Sequence, residues 1–293
     1  GGARRKGLPT VFSPPVGWSN LRPMHLTSQQ IEEFDERGFL AFPGLLDAEE
    51  VTVLNGERRH LYAREGAEVV REKTSDAIRL VYGAHDYSEP FRRLSLLPRI
   101  LNPVRQLLRG DAYIHQSRLN PKQGFTGGQW NWHQDFGTWH REDGMPEPRC
   151  VMTAIMLDSA SAVNGPLLLV PGSHRHGEVQ EVSPEADAKG YTVMQISEPM
   201  LEALASEGGI EALTGPAGTV AFIHCNLVHG SANNVSPWPR AIMYMNYNRT
   251  DNMPTGGNER AWFHNNPDRT ALEPVDDDAL HALAREAAAA RTA

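Results

Sequence analysis

The segment at positions 130–135 reads Trp-Asn-Trp-His-Gln-Asp and contains side chains that could bind a metal. Side chains of an extended strand alternate between its two faces, so His133 and Asp135 are predicted to point the same way. One imidazole nitrogen and one carboxylate oxygen on a shared face supply two ligands of the facial two-histidine, one-carboxylate site that holds non-haem iron(II). Such a pair alone often arises by chance. The site also needs a third ligand, which must come from a distant strand.

His229, in the sequence Val-His-Gly-Ser, is the candidate third ligand. Its rival is His224, which follows Phe222 and Ile223 inside an apolar strand. Arg240 stands eleven positions after His229, at the start of another apolar run. A guanidinium can receive bidentately the far carboxylate of a 2-oxoglutarate that chelates iron, and the hydroxyl of Ser231 can assist. The combination predicts an iron(II) oxygenase with 2-oxoglutarate as co-substrate.

Structural interpretations compete with this prediction at each position. His133 could be a core histidine, Asp135 a turn carboxylate and Arg240 a surface arginine. His174 is expected in a loop, where it either lines the entrance of the site or is solvated. His115 and His140 are expected to have structural or solvent-exposed roles.

Composition narrows the class of partner. The chain has 293 residues and a net charge of −8, which argues against nucleic acid, because phosphate contacts need concentrated Lys and Arg. The two cysteines, Cys150 and Cys225, match neither a disulfide framework nor a zinc site, which favours a reducing, cytoplasmic location. No apolar run approaches the length of a membrane span. We therefore expect a small-molecule partner, and the patterns favour neither a monomer nor a dimer.

Helical signals come first and strand signals later. Capping residues Thr27 and Asp47 predict two helices around a strand at 38–42, and apolar spacing predicts another helix at 91–109. Short strands are predicted at 113–119, 150–157, 167–170, 191–196, 219–223 and 241–247. This order favours a mainly β jelly-roll core backed by helices. The predicted organisation is an irregular arm at 1–24, a single domain at 25–275 and a peripheral C-terminal helix at 276–293.

Several motifs together resemble the phytanoyl-CoA dioxygenase family, and within it the ectoine hydroxylases and trans-4-proline hydroxylases. They are His133-x-Asp135, the segment 164–174, His229-Gly230-Ser231 and Arg240. Positions 115–146 are similar to the ectoine enzymes, whereas positions 214–218 and 247–252 are more similar to the proline enzymes. The likeness covers roughly residues 25–255.

The resemblance implies a double-stranded β-helix fold and a centre that uses Fe(II), 2-oxoglutarate and O2. The implied iron ligands are His133, Asp135 and His229. The positions implied to hold 2-oxoglutarate are Asn120, Lys122, Ser231 and Arg240. The implied substrate pocket contains Gln116, Arg118 and Trp139, and Arg118 is suited to a substrate carboxylate. A solvated loop position for Lys122 and a core position for Trp139 are the structural alternatives.

Departures from the ectoine enzymes bear on the substrate. Those enzymes carry Asn and Phe two and four residues after the anchoring arginine, where this chain has Ile242 and Tyr244, and Ile223 also replaces a Phe. Ectoine is therefore disfavoured, and a small amino acid, imino acid or related zwitterion is expected to be hydroxylated. The alternatives are a carrier-tethered, peptidic or larger substrate, desaturation or cyclisation, and a non-catalytic jelly-roll binding protein.

Overall fold

A computed structural model describes residues 25–72, 75–180, 182–186, 192–256 and 259–292. The arm predicted at 1–24 lies outside the described residues. The helices are α1 Ser28–Arg37, α2 Ala48–Tyr62, α3 Ala84–Tyr87, α4 Glu89–Leu96, α5 Pro98–Leu108, α6 Asp135–Thr138, α7 Glu198–Gly208 and α8 Ala279–Thr292. The strands are β1 Phe39–Phe42, β2 Val69–Arg71, β3 Ile78–Tyr82, β4 Ala112–Lys122, β5 Trp130–His133, β6 Cys150–Met156, β7 Leu167–Leu169, β8 Val182–Ala186, β9 Thr192–Ile196, β10 Glu211–Leu213, β11 Val220–His224, β12 His229–Ser231 and β13 Arg240–Arg249.

Two antiparallel sheets form the core of the described residues. The larger has the strand order β1-β11-β6-β13-β4-β3-β2, and the smaller has the order β10-β7-β12-β5-β9-β8. Consecutive strands lie in opposite sheets at several points, as in a jelly roll. The predicted fold class, a mainly β double-stranded β-helix with supporting helices, is confirmed.

The larger sheet is buried on both faces, and β13 shows how. Met243, Met245 and Tyr247 belong to the apolar core formed with the helices, whereas Ile242 and Tyr244 belong to the core between the sheets. This division follows from the alternation of side chains along a strand. The even-numbered positions of β13 therefore face the interior of the jelly roll.

The helices and strands predicted from local sequence signals agree with the structure only in part. The capping boxes at Thr27 and Asp47 are confirmed, each with its side chain accepting from the backbone three residues on. The single helix predicted at 91–109 is wrong, because Leu97 is extended before Pro98 and separates α4 from α5. The hairpin β2–β3 and helix α7 were not predicted.

The C-terminal helix α8 begins at Ala279, close to the predicted position. Leu280 is fully buried in the core formed with the helices, while the alanine-rich end is exposed. No helix in the described ranges is long and apolar enough to cross a membrane.

Gly218, just before β11, packs against the segment that joins β1 to α2, and a substitution there tests this contact. Its φ of +88° is unfavourable for other residues, and a Cβ there would collide with the backbone oxygen of Leu46. We expect Gly218→Ala to lower the free energy of unfolding by roughly 3 kcal/mol, as measured by denaturant titration. Gly44→Ala is the matched control, because φ is +68° there but a Cβ would meet open space, and a loss of about 1 kcal/mol is expected. Equal losses in the two variants would show that contact with Leu46 contributes nothing.

Candidate active site

Pairing of β5 with β12 brings together the three residues predicted as metal ligands. His133 ends β5 and lies directly opposite His229, which begins β12. The prediction that His133 and Asp135 share a strand is wrong, because the strand ends at His133 and Asp135 begins α6. Its carboxylate still approaches both rings, 3.6 Å from Nε2 of His133 and 3.9 Å from Nε2 of His229. One ligand atom from each residue lies within 4.8 Å of the others.

Backbone carbonyls orient both imidazole rings. Nδ1 of His133 lies 2.6 Å from the carbonyl oxygen of Asn131, and Nδ1 of His229 lies 2.9 Å from that of Leu227. A carbonyl can only accept, so each Nδ1 carries the hydrogen and each Nε2 presents a lone pair. Burial, and then the neighbouring His133, lowers the pKa of His229 to about 4, which keeps that ring neutral near pH 7. The donor set thus fits a divalent metal such as iron(II).

Arg118 holds the carboxylate of Asp135. Its Nη2 donates to both oxygens, at 3.0 and 2.7 Å, and its Nη1 donates to Oε1 of Gln116 at 2.9 Å. Burial alone would raise the pKa of Asp135, but the charge of Arg118, with the two imidazoles, holds that pKa well below its usual range. The carboxylate is therefore ionised and fixed in orientation.

A cavity opens at this cluster, with about 450 Å³ of free space when the open solvent at its mouth is included. Polar lining comes from the three predicted ligands and from Arg118, Asn120 and Ser231. Apolar and aromatic lining comes from Leu80, Tyr82, Trp130, Leu167, Val193 and Tyr244. Leu80 and Tyr82 were missed by sequence reasoning because β3 itself was missed, and their separation by two positions within an apolar run was the available signal.

Arg240 is the first residue of β13, and its side chain lies beside Asn120. Its Nε and Nη2 donate to the carbonyl oxygen of Gly165 at 3.0 and 2.6 Å, and its Nη1 donates to Oδ1 of Asn120 at 3.0 Å. Lys122, directly opposite in the sheet, donates from Nζ to the carbonyl oxygens of Gly128 and Ala232. Both cations are almost completely buried, so neither is a surface side chain.

The two buried cations have only neutral hydrogen-bond partners. Within the described residues, neither Arg240 nor Lys122 forms an ion pair with a carboxylate. Burial, together with the charges of Arg240 and Arg79, lowers the pKa of Lys122 to about 6. Lys122 is therefore mostly uncharged near pH 7, and the buried guanidinium of Arg240 has no counter-charge. A buried cation without a counter-charge is costly, so this part of the site suits an anionic guest, which would also favour the charged form of Lys122.

Gln116 and Trp139, both predicted in the substrate pocket, lie behind the cavity wall. Gln116 is fully buried and donates to the carbonyl oxygen of His264 at 3.1 Å. Trp139 is also fully buried, in an apolar cluster with Phe136 and Met145, and its ring meets His115 edge-on. Neither side chain contributes to the lining of the cavity.

The other histidines lie away from the three ligands. His224 ends β11 and stacks against His174 and Phe34 on the far side of the strand. His140 is a partly exposed residue that contacts the carboxylate of Glu178. His115 contacts Asp143 in a buried pair. The structure thus brings His229, not its rival, to His133 and Asp135.

Comparison with known proteins agrees with this geometry. The profile of the family described as Phytanoyl-CoA dioxygenase (PhyH) matches residues 34–242. The chain belongs to this family. It is 38% identical over 250 residues to the ectoine dioxygenase of Stutzerimonas stutzeri, covering 82% of this chain and 83% of the relative. It is 36% identical over 252 residues to the L-proline trans-4-hydroxylase of Streptomyces griseoviridis, covering 83% and 94%.

A solved structure extends the comparison. The crystal structure of EctD from S. alaskensis with 2-oxoglutarate and 5-hydroxyectoine has a TM-score of 0.76 and 35% identity, covering 89% of this chain and 90% of that one. The predicted family, enzyme class and cofactors are confirmed: this protein is a dioxygenase that depends on Fe(II), 2-oxoglutarate and O2.

Buried neutral histidines make the metal-free protein sensitive to acid. The folded pKa of His229, about 4, lies below its ordinary value of 6.5, so the unfolded chain binds a proton first as pH falls. The contribution of this residue to the free energy of unfolding is therefore fully present above pH 6.5. It is lost as the pH falls toward 4, and the loss amounts to roughly 3 kcal/mol. We expect thermal unfolding across this range to show a shallower pH slope for His229→Asn than for wild type. His60→Asn, at an exposed position, should leave the slope unchanged; an unchanged slope in His229→Asn would contradict the assignment.

Proposed function

We propose that this dioxygenase hydroxylates a C–H bond of a small free amino acid, imino acid or related zwitterion, at an iron held by His133, Asp135 and His229. The observation that carries the proposal is the convergence of these three ligand atoms within 4.8 Å, with both rings turned so that Nε2 faces the carboxylate. The non-catalytic alternative has no feature in its favour, because a binding protein would not need three ligand atoms so arranged.

Bound iron(II) would supply the activation of O2, with 2-oxoglutarate as the reductant that is decarboxylated to succinate. The protein contributes position and charge. Arg118 keeps Asp135 ionised and oriented, and the two backbone carbonyls keep the imidazoles available as ligands. Leu80, Trp130 and the other apolar lining residues exclude water from the reacting C–H bond.

The size of the cavity supports a small substrate. The space inside it, about 450 Å³ even with the open solvent at its mouth counted in, must accommodate the co-substrate and the substrate together, which leaves little room for a carrier arm or a large natural product. The relatives at 36% and 38% identity are named for L-proline and ectoine, both small zwitterions. Ile242 is fully buried and provides no amide to the site, so we place an imino acid such as L-proline ahead of ectoine.

We further propose a reducing, cytoplasmic location. Cys150 and Cys225 are both free thiols and both buried, which supports a setting in which thiols remain reduced.

Product mass spectrometry tests the proposed function. Incubation with Fe(II), 2-oxoglutarate and a panel of L-proline, L-pipecolate, ectoine and proteinogenic amino acids should give a product heavier by one oxygen atom, with stoichiometric succinate. Asp135→Ala should reduce product by at least about 1000-fold, because a ligand and its charge are lost together. Asp111→Ala, which removes an exposed carboxylate near Arg105, is the matched control and should keep activity. Full activity in Asp135→Ala, or no oxygenated product from any panel member, would refute the proposal.

Arg240 is proposed to bind the distal carboxylate of 2-oxoglutarate, with Asn120, Ser231 and Lys122 near it. Arg240→Ala should raise KM for 2-oxoglutarate by about 30-fold or more, since truncation leaves a buried carboxylate without its partner. Arg240→Lys keeps the charge but loses the planar fork, so a smaller increase is expected. Steady-state kinetics at saturating amino acid measures both. An unchanged KM in Arg240→Ala would exclude this role.

A further inference from the structure

Asn246 stands out among the interior residues because its amide is buried and unpaired. The side chain is fully buried, and neither Oδ1 nor Nδ2 has a hydrogen-bond partner within the described residues. It faces the interior of the jelly roll, directly opposite Gln116 of β4 and Met152 of β6. A buried amide that the protein leaves unpaired is unfavourable, so its presence needs an explanation.

Asn248, two residues further on the same face, shows the usual treatment of a buried amide. Its Nδ2 donates to the hydroxyl of Tyr113 at 2.9 Å and to the carbonyl oxygen of Asn252 at 2.7 Å. Its Oδ1 accepts from Nδ2 of Asn252 at 2.9 Å. The two asparagines share a strand, a face and complete burial, yet only Asn248 is satisfied by the fold.

Other unpaired polar atoms lie at the same end of the interior. Nε1 of Trp139 and Nδ1 of His115 are buried without partners in the part of the chain that the structure describes. The two rings are in contact, and His115 precedes Gln116, the residue opposite Asn246. The irregular pairing of β4 with β13 at Asn246 falls at this position. Donors and an acceptor are thus collected in one region without mutual hydrogen bonds.

We propose that Asn246 is a specificity-determining residue that binds the headgroup of the substrate, which consists of a primary or secondary ammonium and a carboxylate. Its Oδ1 accepts from the substrate N–H, and its Nδ2 donates to the carboxylate with the help of Nε1 of Trp139. A neutral amide that both donates and accepts matches a zwitterion better than a single charge does. This inference rests on the proposed function, because it names the part of the site that recognises that substrate class.

Arg118 connects this region to the cavity. Its guanidinium contacts Asp135 with one nitrogen and Gln116 with another, so it stands between the metal cluster and the residues around Asn246. Arg118 and Tyr244, the neighbours of Asn246 on the same face, line the cavity. In this proposal the substrate headgroup replaces only the contact of Nη1 of Arg118 with Gln116, which gives access to Asn246, while Nη2 of Arg118 stays paired with Asp135.

Melting of the substrate-free protein separates a recognition role from a structural one. Asn246→Leu removes an unpaired amide at nearly constant volume, so we expect an unchanged Tm or an increase of a few degrees. Asn248→Leu removes a fully paired amide and leaves its partners unsatisfied, so its Tm should fall by several degrees. A fall in Asn246→Leu equal to that in Asn248→Leu would overturn the inference, because the amide would then be satisfied in the free protein.

Kinetics with L-proline and with ectoine provide the second measurement. Asn246→Leu should raise KM for the accepted amino acid by about 10-fold or more, while KM for 2-oxoglutarate stays at the wild-type value. Asn246→Gln, which keeps the amide, should recover part of the loss. An unchanged KM for the amino acid in Asn246→Leu would overturn the inference even if the Tm rises. Wild-type protein that hydroxylates no panel member refutes the proposed function instead, and the melting comparison still decides whether Asn246 is structural.

Discussion

The antiparallel pairing of β5 with β12 is the constraint on which the active site depends. It places His133 and His229 directly opposite each other, with ring centroids 4.2 Å apart. Two imidazoles at this separation, both turned by backbone carbonyls, leave a position between them that a carboxylate completes. Because β5 ends at His133, the chain can turn immediately and bring Asp135 to that position from the start of α6. A longer strand would have carried Asp135 away from β12.

Charge compensation explains why this cluster is stable in a buried setting. Asp135 is balanced by Arg118, and the ion pair is extended to Gln116, so the carboxylate is ionised and ordered before any metal arrives. The region behind Asn120 is different, since Arg240 and Lys122 are buried there, outside the cavity lining, with only neutral partners. One end is electrostatically complete and the other has excess positive charge. A dicarboxylate that chelates the metal and reaches toward Arg240 would correct that imbalance.

The sequence predicted the parts of the molecule that depend on local or short-range signals. Capping residues located α1 and α2, and apolar runs located most strands of the larger sheet. The position of Asp135 relative to His133 was predicted by strand alternation, although the structure achieves the approach with a strand and a turn. Positions set by tertiary packing were harder to predict. Leu80 lines the cavity only because β3 pairs with β4, and Trp139 is behind the wall because α6 turns it toward Met145.

Side chains alternate along β13, so every second residue of this strand faces the interior of the enzyme. From Arg240 the inward-facing positions pass through Ile242 and Tyr244 to Asn246, each step advancing about 7 Å. Tyr244 lies opposite Arg118, at the level of the metal cluster, so Arg240 and Asn246 fall on opposite sides of it. An amide at position 242 would lie next to Arg240 along the strand, whereas an amide at 246 lies roughly 13 Å further along. A shift of that size cannot preserve a contact to the same atom of the same substrate. If Asn246 binds the headgroup as proposed, the polar headgroup of the substrate must lie on the opposite side of the His133–Asp135–His229 cluster from Arg240.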